Sequence, residues 1–327
     1  MPNFIERVMN PEWYHGRDKQ PPFFEGWYFK LIDASEQHRY AIIPGIFLSH
    51  DPAKHHAFVQ VLDGLTGASA YFTYPPEQFH AAENDFDVKI GPNRFRRDGV
   101  HLALESESLA LKGDLSFENT VPYPKSVYAP GIMGPFGWLT FMECYHGVVS
   151  LDHRIEGTLT LNDQPVDFGG GRGYIEKDWG ESFPSAWIWS QSNHFEQPGT
   201  CLTASIATIP FKVLKFTGTI VSLWHEQHLY CFATYTGAKI EKLTVSDTHV
   251  DWVMSTRQHR LEMVATRAQG GLLHEPNRQE MHRRVEETLR ATIAVRLSEV
   301  TSGRELFSGT GRNAGLEVQG DLGFQTK

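Results

Sequence analysis

The sequence predicts an all-β fold built as two antiparallel β-barrels packed side by side, with few and short helices. Three observations carry that expectation. Apolar and polar residues alternate at period two through many short stretches, the pattern of strands with one buried face. Glycine (29) and proline (18) recur among the 327 residues, punctuating the chain into short elements. The length suits two domains of ordinary size.

The elements follow in order. The first barrel, residues 1–165, opens with a short helix over Asn3–Met9. Strands follow at Trp27–Ile32, Tyr40–Phe47, Ala57–Leu62, Val100–Leu104, Leu109–Phe117, Trp138–Tyr145 and Gly157–Leu161. The second barrel, residues 166–327, takes strands at Trp187–Phe195, Cys201–Ile209, Phe216–Trp224, Leu229–Thr236, Glu241–Trp252, Arg260–Thr266, Leu289–Leu297, Arg304–Gly311 and Gly315–Val318. A polar turn near Asn277–Arg284 is the other helix candidate. The stretch Val285–Leu297 contains Glu286, Glu287 and Arg290, which suit a helix. Its second half alternates Leu289, Ala291, Ile293, Val295 and Leu297 with β-branched residues among them, which favours a strand. Turn chemistry separates the strands at Asp63-Gly64, Asn162-Asp163, Pro198-Gly199 and Ser302-Gly303. Gly169–Gly173 is the best linker between the barrels. A single large sandwich is the competing architecture.

Charge and cysteine usage narrow the function. Thirty Lys and Arg against 39 Asp and Glu give a net charge of −9, which argues against a nucleic-acid binder needing a basic face. Cys144, Cys201 and Cys231 form no CxxC pair and suggest a reducing compartment. No apolar run reaches the length of a membrane span, and the N-terminus lacks a signal-peptide core. A cytoplasmic location is the simplest expectation. Peripheral membrane contact stays open through Ser126–Leu139 and Pro210–Phe216, both rich in apolar residues.

Three stretches offer chemistry. In Phe23–Lys30, a strand would place Glu25, Trp27 and Phe29 on one face and Tyr28 and Lys30 on the other. Residues 173–195 begin with Glu176, Lys177, Asp178 and Glu181 around Trp179, then enter a strand. There Trp187, Trp189, Gln191, Asn193 and Phe195 share one face, a flat aromatic wall ending in two amides. Such a wall suits a cavity for an apolar ligand with one polar end; a Trp-rich core between domains is the plain alternative. In Phe141–Gly147, Cys144 and His146 share a strand face, with no third group visible to orient a thiolate–imidazole pair. The glycine run near Arg172 is neither a phosphate loop nor a dinucleotide fingerprint, and His225-Glu226-Gln227-His228 misses zinc-helix spacing. No metal or cofactor is therefore expected.

Phe24-Glu25-Gly26-Trp27-Tyr28-Phe29-Lys30 resembles the FEGWYFK signature of tocopherol cyclases. Glu176, Lys177, Trp179, Gly180, Phe183, Pro184, Trp187, Trp189, Gln191, Asn193 and Phe195 fall on matching positions of the same family's second signature. Asp178 stands where members usually carry Asn, and His194 where plant members carry an apolar residue. The resemblance implies paired lipocalin-like barrels and closure of a chroman ring on a prenylated quinol. That reaction needs an acid to protonate an alkene, a dry aromatic surface for the tertiary cation, and a phenol held close enough to trap it. The resemblance points to a neutral, buried carboxyl among Asp178, Glu176 and Glu25 as the acid. Trp27, Phe29, Trp179, Trp187 and Trp189 would line the hydrophobic substrate, with Gln191 and Asn193 orienting the quinol. The alternatives are a hydratase or pericyclase acting on another isoprenoid or polyene, a non-catalytic lipid carrier, and a purely structural β protein.

Overall fold

The computed structural model describes residues 2–211 and 214–322. One α-helix, α1 (Phe4–Met9), is capped by a reciprocal pair: Asn3 accepts from the Glu6 N–H, and Glu6 accepts from the Asn3 N–H. All other long elements are strands. The first twelve are β1 (Phe23–Ile32), β2 (Arg39–Leu48), β3 (His56–Asp63), β4 (Ser69–Tyr74), β5 (Phe79–Ala81), β6 (Asp87–Ile90), β7 (Asn93–Arg96), β8 (Gly99–Glu105), β9 (Ala110–Val121), β10 (Cys144–Leu161), β11 (Gln164–Asp167) and β12 (Gly171–Gly180). They form one antiparallel sheet in the order β4-β3-β2-β1-β12-β10-β9-β8-β7-β6-β5, with β11 beside β10.

A single apolar core draws Trp27, Phe29 and Leu31 of β1, Val59 and Val61 of β3, Val88 and Ile90 of β6, Phe95 of β7 and Ile175 of β12. Strands from both ends of the path feed the same core, so the sheet curls on itself into a barrel. Odd-numbered residues of β1 face that core. Even-numbered ones face out, and Phe24 joins a separate cluster with Phe47, Phe58 and Met281.

The second set is β13 (Trp187–Ser192), β14 (Cys201–Phe211), β15 (Leu214–His225), β16 (His228–Ala233), β17 (Lys239–Val245), β18 (His249–Ser255), β19 (His259–Thr266), β20 (Gly271–Glu275), β21 (Arg283–Glu299) and β22 (Glu305–Gln319). Their order is β16-β15-β14-β13-β22-β21-β19-β18-β17, with β20 beside β21. Ile188, Leu202, Val221, Phe232, Trp252, Met263, Ile293 and Leu316 share its core. The chain is thus all-β, with two lipocalin-like barrels.

Several expectations need correction. The chain divides at Phe183/Pro184, not near residue 165, and Leu272–Arg284 returns to the first unit. The cause is β12, which pairs with β1 and β10 inside the first sheet. The glycines at 171 and 173 belong to that strand and are no linker. Residues 277–284 form turns and the start of β21, not a helix, and β21 runs strand-like from Arg283 throughout. Trp138 ends a 3₁₀ turn (Gly134–Trp138), and its strand begins only at Cys144. The Pro210–Phe216 stretch falls partly outside the described residues.

Candidate active site

The two signature strands meet side by side. In the β1–β12 register Glu25 lies opposite Trp179, Gly26 opposite Asp178, Trp27 opposite Lys177 and Tyr28 opposite Glu176. Directly opposed residues share a face, and neighbours along a strand do not. The pairing therefore splits the three candidate carboxyls. Glu25 faces the barrel interior; Glu176 and Asp178 face outward.

On the interior face, Glu25 is fully buried against Lys177, with Nζ 2.5 Å from Oε1. The Glu25 carboxylate also accepts from the His15 N–H at 2.9 and 3.0 Å. Lys177 donates to the carbonyls of Pro11 (2.8 Å) and Trp13 and sits 4.9 and 4.5 Å from the rings of Trp27 and Trp179. Burial pushes its ammonium down to about 8, opposed by the Glu25 charge. The pair thus pins residues 11–15 across one end of the barrel. These contacts make Glu25 a latch between β1 and the segment that precedes it. Trp27 and Phe29 are equally unavailable to a substrate. Both are wholly buried, with Trp27 stacked 5.6 Å from Phe86 and its Nε1–H donated to the Glu12 carbonyl at 3.0 Å.

The outer face brings the other two carboxyls together with a histidine. His146 of β10 lies opposite Asp178 of β12. Its Nδ1 is 2.9 Å from Asp178 Oδ1, and its Nε2 is 3.6 Å from Glu176 Oε2. Tyr174 donates its hydroxyl to Glu176 at 2.6 Å. Tyr174 and Glu176 are buried, while the Asp178 side chain keeps 29% of its exposure. Burial alone would depress the His146 pKa. The charges of Asp178 and then Glu176, with the hydrogen bond to Asp178, outweigh it and raise the pKa to about 9. At neutral pH the ring is an imidazolium. Its Nδ1–H is held by Asp178, and among the described residues Nε2 has no hydrogen-bond partner. The donor atoms of His146, Glu176 and Asp178 lie within 4.8 Å of one another, close enough to hold a cation as well.

Neighbouring Cys144 is no nucleophile. Burial and the charges of Asp178 and Glu143 push its thiol well up, away from the thiolate.

The expected aromatic wall does not keep to one face, since Phe195 packs in the second barrel's core. Ile188, Ser190 and Ser192 share the face turned to the second barrel's core, with Ile188 packed in it. Trp187, Trp189 and Gln191 alternate to the other face and are buried there. Trp187 donates Nε1–H to Glu317 at 2.6 Å. Gly315 gives Trp189 its room, since a Cβ there would lie 2.5 Å from the indole. Gln191 Nε2 reaches Cys201 Sγ at 3.7 Å, and Asn193 Oδ1 meets His194 Nδ1 at 3.0 Å. Trp179, in the first unit, stacks between Tyr145 (5.4 Å) and His15 (4.6 Å) on the interior side, away from Asp178.

Sequence reasoning placed Asp178 and Glu176 and missed His146 as their partner. The available signal was the shared face of Cys144 and His146; what was lacking was the register that sets β10 beside β12.

Fold and site define a two-barrel β protein with a half-buried histidine flanked by two carboxylates. The tocopherol cyclase-like family model matches residues 130–320, more than half of the sequence, and the chain belongs to that family. No curated protein matches it. Among solved structures it is similar to kievitone hydratase from Nectria haematococca (TM-score 0.50, 13% identity, 94% of each chain covered). CghA with Sch210972 aligns at TM-score 0.55 and 11% identity, covering 92% of this chain and 89% of that one. A putative AttH from Nitrosomonas europaea aligns at 0.51 and 15%, covering 90% and 92%. At these identities the structural likenesses establish the fold. Family membership supports a cyclase-like enzyme and leaves the substrate open. Among the described residues no helix is long and apolar enough to cross a membrane.

Proposed function

We propose that the protein closes a chroman-type ring on a prenylated quinol, with the His146 imidazolium as acid and its flanking carboxylates as base and electrostatic support. The observation that carries this reading is the half-buried His146, whose Nδ1 is held by Asp178 while Nε2, beside Glu176, has no hydrogen-bond partner among the described residues. An imidazolium with a pKa near 9 is a weak acid toward an alkene. The transfer therefore needs help, and two nearby carboxylates supply it by stabilising the positive charge that grows on the tertiary carbon.

The balance is simple. The Nε2 proton passes to the less substituted alkene carbon. The phenol oxygen bonds to the tertiary carbon, and its proton passes to a carboxylate. That carboxylate is Glu176, whose Oε2 lies 3.6 Å from the vacated Nε2 and returns the proton there, while Nδ1 keeps its own proton on Asp178. Nothing is oxidised and no atom is lost, so the reaction is an isomerisation. Trp187, Trp189, Gln191 and Asn193 are proposed as substrate contacts on the family signature alone.

The test is turnover of a prenylated hydroquinone by wild type and His146→Gln. A loss of about 100-fold or more is expected for removal of a general acid; an unchanged rate contradicts the assignment. Water could replace the phenol at the same cation, the second reading that likeness to a hydratase suggests. Product mass separates the two, since hydration adds one water and cyclisation adds nothing.

A further inference from the structure

A cavity borders β10 and β12, and its lining includes His15, Tyr145, His146 and Trp179. It has a volume of about 270 Å³ and opens between α1 with the chain following it and the loop around residues 130–140. Val8 supplies one wall, Met133 and Leu139 the other, and Tyr145 and Trp179 the floor. The floor is fixed: the two rings stack on each other, and the Tyr145 hydroxyl donates to the Leu139 carbonyl at 2.7 Å. Of the charged lining, Asp18 and Lys19 are exposed and Arg7 is half-buried, which marks this side as the mouth. Arg7 pairs with Asp18 at 2.8 Å, which leaves the Lys19 charge as the local excess. Beyond the mouth the apolar wall continues through Phe4, whose ring lies 6.1 Å from Trp138.

We propose that this cavity binds the apolar chain of a single-chain amphiphile, with the anionic head at Lys19 and Arg7. The volume is below the roughly 300–1,000 Å³ usual for whole drug-sized ligands, which favours a chain over a ring system. Apolar walls bury the methylenes, and the cationic rim fixes the direction of entry. The proposal concerns binding alone: His146 borders the cavity, and no proton transfer is asked of it.

Isothermal titration with dodecanoate below its micellar concentration tests it, with dodecyltrimethylammonium as the charge-reversed probe. One dodecanoate per chain is expected. Val8→Trp and Leu139→Trp, filling the cavity from opposite walls, are expected to weaken binding at least tenfold, and Lys19→Glu several-fold. The cationic probe is expected to bind more weakly than dodecanoate. Circular dichroism shows that each variant is folded, and either wall variant suffices if the other is not. Undiminished binding in the folded wall variants, or a cation that binds as tightly, overturns the proposal. Because the probe does not react, a chain that binds dodecanoate yet cyclises no quinol contradicts only the function above. A chain that cyclises quinols and ignores dodecanoate contradicts only this site.

Discussion

At the residue scale, His146 and Lys177 carry opposite electrostatic problems on opposite faces of one sheet. His146 is charged because two carboxylates overcome its burial. Lys177 pairs with Glu25, and burial still moves its ammonium down. The sign of the His146 effect follows from linkage. Its folded-state pKa, about 9, lies above the ordinary value of 6.5, so its contribution is fully present below about pH 6.5 and lost as pH rises through 9. That contribution amounts to roughly 3 kcal/mol. Lys177 acts in the other sense: with its pKa lowered to about 8, its burial penalty is relieved as pH rises toward 10.5. The His146 contribution is therefore read from the stability difference between wild type and His146→Gln, which is expected to shrink between pH 6.5 and 9. Turnover is expected to fall over the alkaline limb near 9. Asp178→Asn, which removes the nearer charge, is expected to move that limb toward acid by about one unit or more, as a pH–rate profile would record.

Glu25 shows where a motif can mislead at this scale. Its place in a signature beside Trp27 suggests a catalytic carboxyl, whereas its contacts make it the anchor for residues 11–15. Removing one partner of a buried pair is costly. Glu25→Gln or Lys177→Met alone is expected to lose about 3–5 kcal/mol in denaturant unfolding, with the double variant less affected than the sum. An additive double variant would contradict the latch.

At the element scale, period-two alternation finds most of the long strands but not the ten-residue β12. It places Ile188 and Trp189 on opposite faces before any coordinate is known, and the structure keeps them there. It does not find β5 to β7, which are three or four residues long and too short to display a period. It also cannot tell which strands pair. The His146–Asp178 contact joins residues 32 apart in the chain. Each is legible in the sequence, but their meeting depends on the β10–β12 register. For the same reason the indole wall dissolves: the rows are amphipathic as expected, yet Trp27 and Phe29 turn into a filled barrel.

At the scale of the whole molecule, the division into units depends on contacts that composition does not encode. A glycine run reads as a linker, yet residues 171–173 are strand, and a segment near residue 280 belongs with the first barrel. Met281 packs with Phe24, Phe47 and Phe58 on that barrel's outer face. Residues 1–183 expressed alone are therefore expected to expose this patch and bind a hydrophobic dye. Addition of the 272–284 segment through a flexible linker is expected to suppress dye binding and raise the melting temperature. Met281→Ala in the full chain is expected to cost about 2–5 kcal/mol, measured by denaturant unfolding.

The account rests on a histidine that keeps its proton at neutral pH between two carboxylates. Titration of the His146 ring by nuclear magnetic resonance in the intact chain measures this directly, with His146→Gln identifying the signal. An apparent pKa near 9 is the expected result; a value at or below the ordinary 6.5 would contradict the acid assignment and the reaction built on it.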